Sequence, residues 1–79
     1  MIRFRLTELI AEKAFRERRV VSLAEVAEAT GIHRATLSKI ANQPGANTVT
    51  DNLDSLCRYF DCKLEDLAQY LKDEENAGV

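Results

Sequence analysis

Few side chains in this sequence have chemistry to offer. Cations gather at Arg16, Arg18 and Arg19, and again at Arg34 and Lys39, with His33, Ser38 and Asn42 close by. Guanidinium forks, ammonium groups and hydroxyls of this kind bind anions, donating to phosphate oxygens or to the acceptor edges of bases. Cys57 and Cys62 stand five apart, without the CxxC spacing of a zinc or redox site. Cys57 reads as a small buried hydrophobe in a reduced, cytosolic protein. Glu25 and Glu28 lie three apart and could pair as acid and base, but Glu25 stands where a helix cap needs it. With one histidine, no glycine-rich phosphate loop and no clustered metal ligands, the sequence points away from an enzyme and predicts no cofactor and no metal.

Those cations belong to a chain that is not basic overall. Its 79 residues carry 11 Lys and Arg against 13 Asp and Glu, a formal charge of −2, so it cannot bind polyanions through bulk charge. The charge is unevenly spread. Residues 1–45 hold 8 basic and 5 acidic side chains, and residues 46–79 hold 3 and 8, so the N-terminal part could face an anion while the C-terminal part could not. The length suits one small domain, expected over residues 1–72, with an acidic, frayed tail over 73–79. No apolar run is long enough for a membrane span and no uncharged segment follows Arg3 and Arg5, so the expectation is a soluble, unexported, cytoplasmic protein with no membrane partner.

Glycine and proline fall only at Gly31, Pro44, Gly45 and Gly78, leaving long stretches of helix formers, which predicts an all-α fold. A first helix is expected from Arg5 or Leu6 to Arg18, with Leu6, Leu9, Ile10, Ala14 and Phe15 on one face. Before it, Ile2, Phe4 and Leu6 alternate with Arg3 and Arg5, the one strand-like signal, which could pair with a second copy or simply extend the helix. Ser22 and Glu25 form a capping box, flanked by a Val21 and Val26 staple, and start a second helix that Gly31 stops. A third helix begins near His33, with Leu37, Ile40 and Ala41 inward and Arg34, Ala35, Ser38 and Lys39 outward. Thr48 or Thr50 caps a fourth helix, whose stripe is Val49, Leu53, Leu56, Cys57 and Phe60. A fifth is expected from Leu64 to about Leu71, burying Leu64, Leu67, Ala68 and Leu71.

A helix, a three-residue turn containing glycine and a short second helix make the layout in which the second helix can lie in a DNA major groove. The segment from Leu23 to Ile40, with Ala27 at the helix contact, Gly31 at the turn, Ile32 after it and Leu37 and Ile40 inward, resembles the Cro and phage-repressor (XRE-type) helix-turn-helix family. The resemblance continues through Thr48 to Leu67 and covers roughly residues 6–71. It implies a five-helix, lambda-repressor-like domain that binds double-stranded DNA.

Carried over position by position, the resemblance implies base reading by Arg34, Ala35, Thr36, Ser38 and Lys39, with Arg34 forking onto guanine. It implies phosphate contacts at Asn42 and at His33, the expected N-cap residue. Where the family often has a bracing Gln at the start of the second helix, this sequence has Leu23. Ser22 with the free amides there, and Arg18 and Arg19 just before, are expected to hold phosphate instead, with Arg16 adding charge; the alternative for these three arginines is pairing with Glu12 or Glu17. The expected function is a transcriptional regulator, a repressor, working as a homodimer on a two-fold-symmetric site. The alternative is a protein-interaction module on the same fold, such as an adaptor or the antitoxin half of a toxin pair.

Overall fold

The computed structural model describes residues 1–72, so the expected acidic tail lies outside the described residues. In chain order the elements are β1 (Ile2–Phe4), α1 (Leu6–Glu17), α2 (Leu23–Thr30), α3 (Arg34–Asn42), α4 (Thr50–Phe60), α5 (Leu64–Leu67) and β2 (Ala68–Tyr70). Five helices surround one core of Phe4, Leu6, Leu9, Val21, Val26, Ile32, Leu37, Ile40, Leu56, Phe60 and Leu67, to which every helix contributes at least one side chain.

α1 stops where Arg18 takes the left-handed conformation at φ 55°, its amide donating to the Ala14 carbonyl. Asp61 closes α4 in the same conformation at φ 51°. Both are non-glycine residues at helix C-termini, where a short hydrogen bond offsets part of the steric cost. α4 begins at Thr50 after Val49, and Thr48 Oγ1 accepts from Asn52 Nδ2 at 3.0 Å, so Thr48 steadies the first turn through a side chain rather than by capping an amide.

Three side chains expected in the core lie outside it. Phe15 is 88% exposed, because it stands nine residues after Leu6, two and a half turns on and hence on the opposite face. Val49 is 61% exposed, since it precedes the helical turns that aim Leu53 and Leu56 inward, and Leu64 is 55% exposed because Leu67 takes the inward position of the four-residue α5.

The larger difference is at the chain ends. α5 does not run on to Leu71: Ala68 turns extended at φ −118°, ψ 138°, and residues 68–70 pair antiparallel with β1, Ile2 opposite Tyr70 and Phe4 opposite Ala68. Arg5 N–H donates to Leu67 O at 2.7 Å and Leu71 N–H to Met1 O at 2.8 Å. The N-terminal strand therefore finds its partner within the same chain, and backbone hydrogen bonds to a segment more than sixty residues away override a local helical pattern. Gly45 N–H donates to Ile2 O at 2.9 Å, which ties the loop after α3 to the other side of β1.

Candidate nucleic-acid interface

Ser22 starts α2 as expected: it is extended at φ −99°, ψ 160°, and its Oγ accepts from the Glu25 amide at 3.1 Å. That is the forward half of the expected capping box. The Glu25 carboxylate turns elsewhere, to Arg19 and Tyr59. At the other end Gly31 sits at φ 76° with its amide on Ala27 O, and no heavy atom lies within 4 Å of where a β-carbon would be. Glycine is favoured there by backbone conformation and not by crowding. Thr30 Oγ1 donates to Val26 O at 2.7 Å and accepts from the Ile32 amide at 3.3 Å, so the turn is held on both sides while Ile32 buries its side chain.

α3 then starts at Arg34, with His33 at the N-cap making no side-chain capping bond. Leu37 is fully buried and Ile40 nearly so, which anchors the helix against the core, each burial worth about 1.5–3 kcal/mol. α2 packs on α3, and Ala27, half-buried, packs against the core. Of the other α3 side chains, Arg34, Ala35 and Lys39 are exposed, and Thr36 and Ser38 are half-buried. The side chains of Arg34 and Lys39 make no hydrogen bond or ion pair among the described residues. The two charges are thus held on a fixed helix with their donors unspent.

The ends of α2 and α3 are brought together. Leu23 and Asn42 line one shallow groove of about 230 Å³ with Thr7, Ile10 and Val21, so the start of α2 lies beside the end of α3. Asn42 Nδ2 donates to Ser38 Oγ at 3.3 Å, joining two of the expected contact residues. Leu23, half-buried, packs against the core rather than presenting a polar end.

The three arginines before α2 part company. Arg18 is exposed and makes no side-chain hydrogen bond or ion pair among the described residues. Arg16 lines a different groove, between α1 and the α4–α5 turn, with Arg5, Asp61 and Asp66. Arg19 donates both terminal nitrogens to the Glu25 carboxylate at 2.7 Å each and Nε to Glu17 at 2.8 Å. These bonds hold the Glu25 carboxyl below its ordinary range, Arg19 being the largest cause, and raise the already high affinity of Arg19 for its proton. Glu17 is lowered likewise, by Lys13 first and then Arg19.

A helix anchored by two buried residues, a second helix whose start opens beside it, and cations aimed outward between them make the arrangement expected of a DNA reader, and residues 5–73 match the family described as Cro/C1-type HTH DNA-binding domain. The chain belongs to that family. No curated protein and no solved structure gives a match. As a Cro/C1-type domain it is a DNA-binding, helix-turn-helix protein, and no helix among the described residues is long and apolar enough to cross a membrane.

Sequence reasoning left out two members of the cluster around Arg19 and Glu25. Tyr59, on α4, reaches the Glu25 carboxylate 34 residues away, and no local spacing signals such a contact. Lys13 supports the same cluster from α1, where only its i,i+4 relation to Glu17 was there to be read. Cys57 and Cys62 lie off this surface, and burial with the neighbouring Cys57 pushes the Cys62 thiol up to about 11, the range of an unreactive thiol.

Proposed function

We propose that this chain is a sequence-specific transcriptional regulator, a repressor, that lays α3 in the major groove of duplex DNA and works as a homodimer. The observation that carries this reading is the division of α3: Leu37 and Ile40 are buried, while Arg34 and Lys39 are exposed with their side-chain donors unengaged. Arg34, at the first position of α3, forks onto guanine O6 and N7. Ala35 and Thr36 offer methyl groups to thymine, and Ser38 and Lys39 reach base edges further along. Ser22 with the first amides of α2, Arg18, His33 and Asn42 take phosphates on either side and set the register.

One nine-residue helix reads few base pairs, and a two-fold pair of half-sites about 34 Å apart doubles the specific contacts. An apolar groove beside Leu53, Cys57 and Leu64, with Val49 exposed nearby, gives such a dimer a surface to bury. The protein acts without catalysis or cofactor, in the cytoplasm and on the nucleoid when bound. A protein partner, as in the antitoxin reading, draws support from the apolar side chains of Phe15 and Val20, 88% and 86% exposed.

The test is selection from a random duplex library at about 0.15 M salt, followed by a salt titration of the winner. A symmetric enriched motif that disappears with Arg34→Ala supports the dimeric reader. Absence of enrichment, with binding no tighter than to random duplex, favours the protein-partner reading.

A further inference from the structure

Lys13, Glu17, Arg19, Glu25 and Tyr59 close into a ring of contacts at the start of α2. Lys13 Nζ lies 2.7 Å from Glu17, Glu17 2.8 Å from Arg19, and Arg19 holds both Glu25 oxygens at 2.7 Å. The Tyr59 hydroxyl donates to Glu25 Oε2 at 3.1 Å, and Lys13 Nζ returns to stand 4.8 Å over the Tyr59 ring. The members come from α1, the α1–α2 turn, the first turn of α2 and α4. Two cations face two carboxylates, so the ring is neutral and contributes no net attraction toward a polyanion. What it does contribute is geometry, because a bidentate guanidinium–carboxylate pair fixes orientation as well as distance, and a third group from α4 holds the same carboxylate.

We infer that Arg19 is a positioning residue for DNA binding and not a phosphate ligand. Acting through Glu25, it sets the first turn of α2, where Ser22 and the free amides face the DNA, and through the packing of α2 on α3 it sets the seat of the reading helix. It stands in for the polar brace absent at Leu23. The inference rests on the DNA-binding reading and revises the role the sequence gave Arg19.

Glu25 is the deciding residue, because the two roles predict opposite signs. The experiment is a salt-dependent anisotropy titration of the selected duplex with the parent and with Glu25→Gln, Arg19→Ala, Arg19→Lys and the Glu25→Gln/Arg19→Ala pair, each checked for parental helicity. A positioning role predicts that Glu25→Gln and Arg19→Ala each weaken binding roughly three- to tenfold with the salt slope unchanged, and that the pair is no worse than either alone. Arg19→Lys, which keeps the charge and loses the fork, does not restore affinity. A phosphate ligand restrained by Glu25 predicts the reverse: Glu25→Gln tightens binding and steepens the slope, Arg19→Ala flattens it by about 0.9, and Arg19→Lys keeps most of the affinity. That result overturns the inference, as does parental binding by every variant. If the parent itself shows no preference for any duplex, the DNA-binding reading fails first and the brace falls with it.

Discussion

Arg34 and Arg18 are both exposed and unengaged arginines among the described residues, yet they sit on differently built supports. Arg34 rides on a helix pinned by Leu37, which in the proposed docking would bring its guanidinium to the same base edge each time. Arg34→Ala is therefore expected to cost about 1–3 kcal/mol on the selected site and to relax preference at one base pair, measured by competition among single-base variants of that site. Arg18 occupies a left-handed turn at φ 55° between helices, and in the proposed docking it grips the DNA backbone and does not read bases. Arg18→Ala should weaken all duplexes alike and reduce the salt slope by about one, and an equal loss of base preference in both variants would contradict the docking proposed. The sequence made the exposure of Arg34 legible, because its place at the start of the third helix follows from the turn at Gly31. The pairing of Arg19 with Glu17 was legible as one of the alternatives the sequence offered, whereas its bonds to Glu25 were not, because nothing in a capping box tells that the Glu25 carboxylate will turn away from the cap.

At the scale of the element, the turn between α2 and α3 is the part whose conformation most directly sets the reading helix. Gly31 has open space around its missing β-carbon and φ of 76°, so Gly31→Ala isolates the backbone term. The expected loss is about 1 kcal/mol in chemical denaturation, with DNA affinity reduced only in proportion to the folded fraction. Leu37→Ala is a heavier change, removing a fully buried side chain for about 2–5 kcal/mol, enough to unfold much of so small a domain near its melting range. A Leu37→Ala protein as stable as the parent would show that α3 is not anchored as described. α2 was the most legible element, since Ser22, Val21, Val26 and Gly31 mark both its ends within the sequence itself. α5 was the least legible. Leu64, Leu67, Ala68 and Leu71 fit a helical stripe, but pairing with β1 draws residues 68–70 into a strand.

For the whole molecule, charge coupling makes stability depend on pH at both extremes. Glu17 and Glu25 titrate below the ordinary 4.5 because of hydrogen bonds from Lys13 and Arg19 respectively. For Glu8 burial pushes upward, but the Arg3 hydrogen bond, its own amide and the Arg3 and Arg5 charges outweigh it. Each folded pKa lies below its unfolded value, so the stability these groups give is complete above the unfolded value and is lost as pH falls through the folded one. Tyr59 moves the other way, raised above 10.0 by burial and then by Glu25, so its contribution is complete below the unfolded value and is lost as pH rises through the folded one. The urea midpoint should be flat from about pH 5 to 9 and fall on either side, and Glu17→Gln with Glu25→Gln should blunt the acid limb. A parent midpoint unchanged from pH 7 down to pH 3 would show that these pairs do not matter to folding. The sequence by itself determined the five helices, the turn at Gly31, the anchors Leu37 and Ile40 and the outward place of Arg34 and Lys39, because caps, glycine and a 3.6-residue period act over a few neighbouring residues. Only the tertiary structure decided that β1 joins β2, that Phe15 faces away from the core, and that Glu25 takes both Arg19 and Tyr59. The ladder and the Tyr59 contact join residues far apart in the chain, the Arg19 pair spans a turn of irregular backbone, and the exposure of Phe15 follows from which face of α1 the other elements cover.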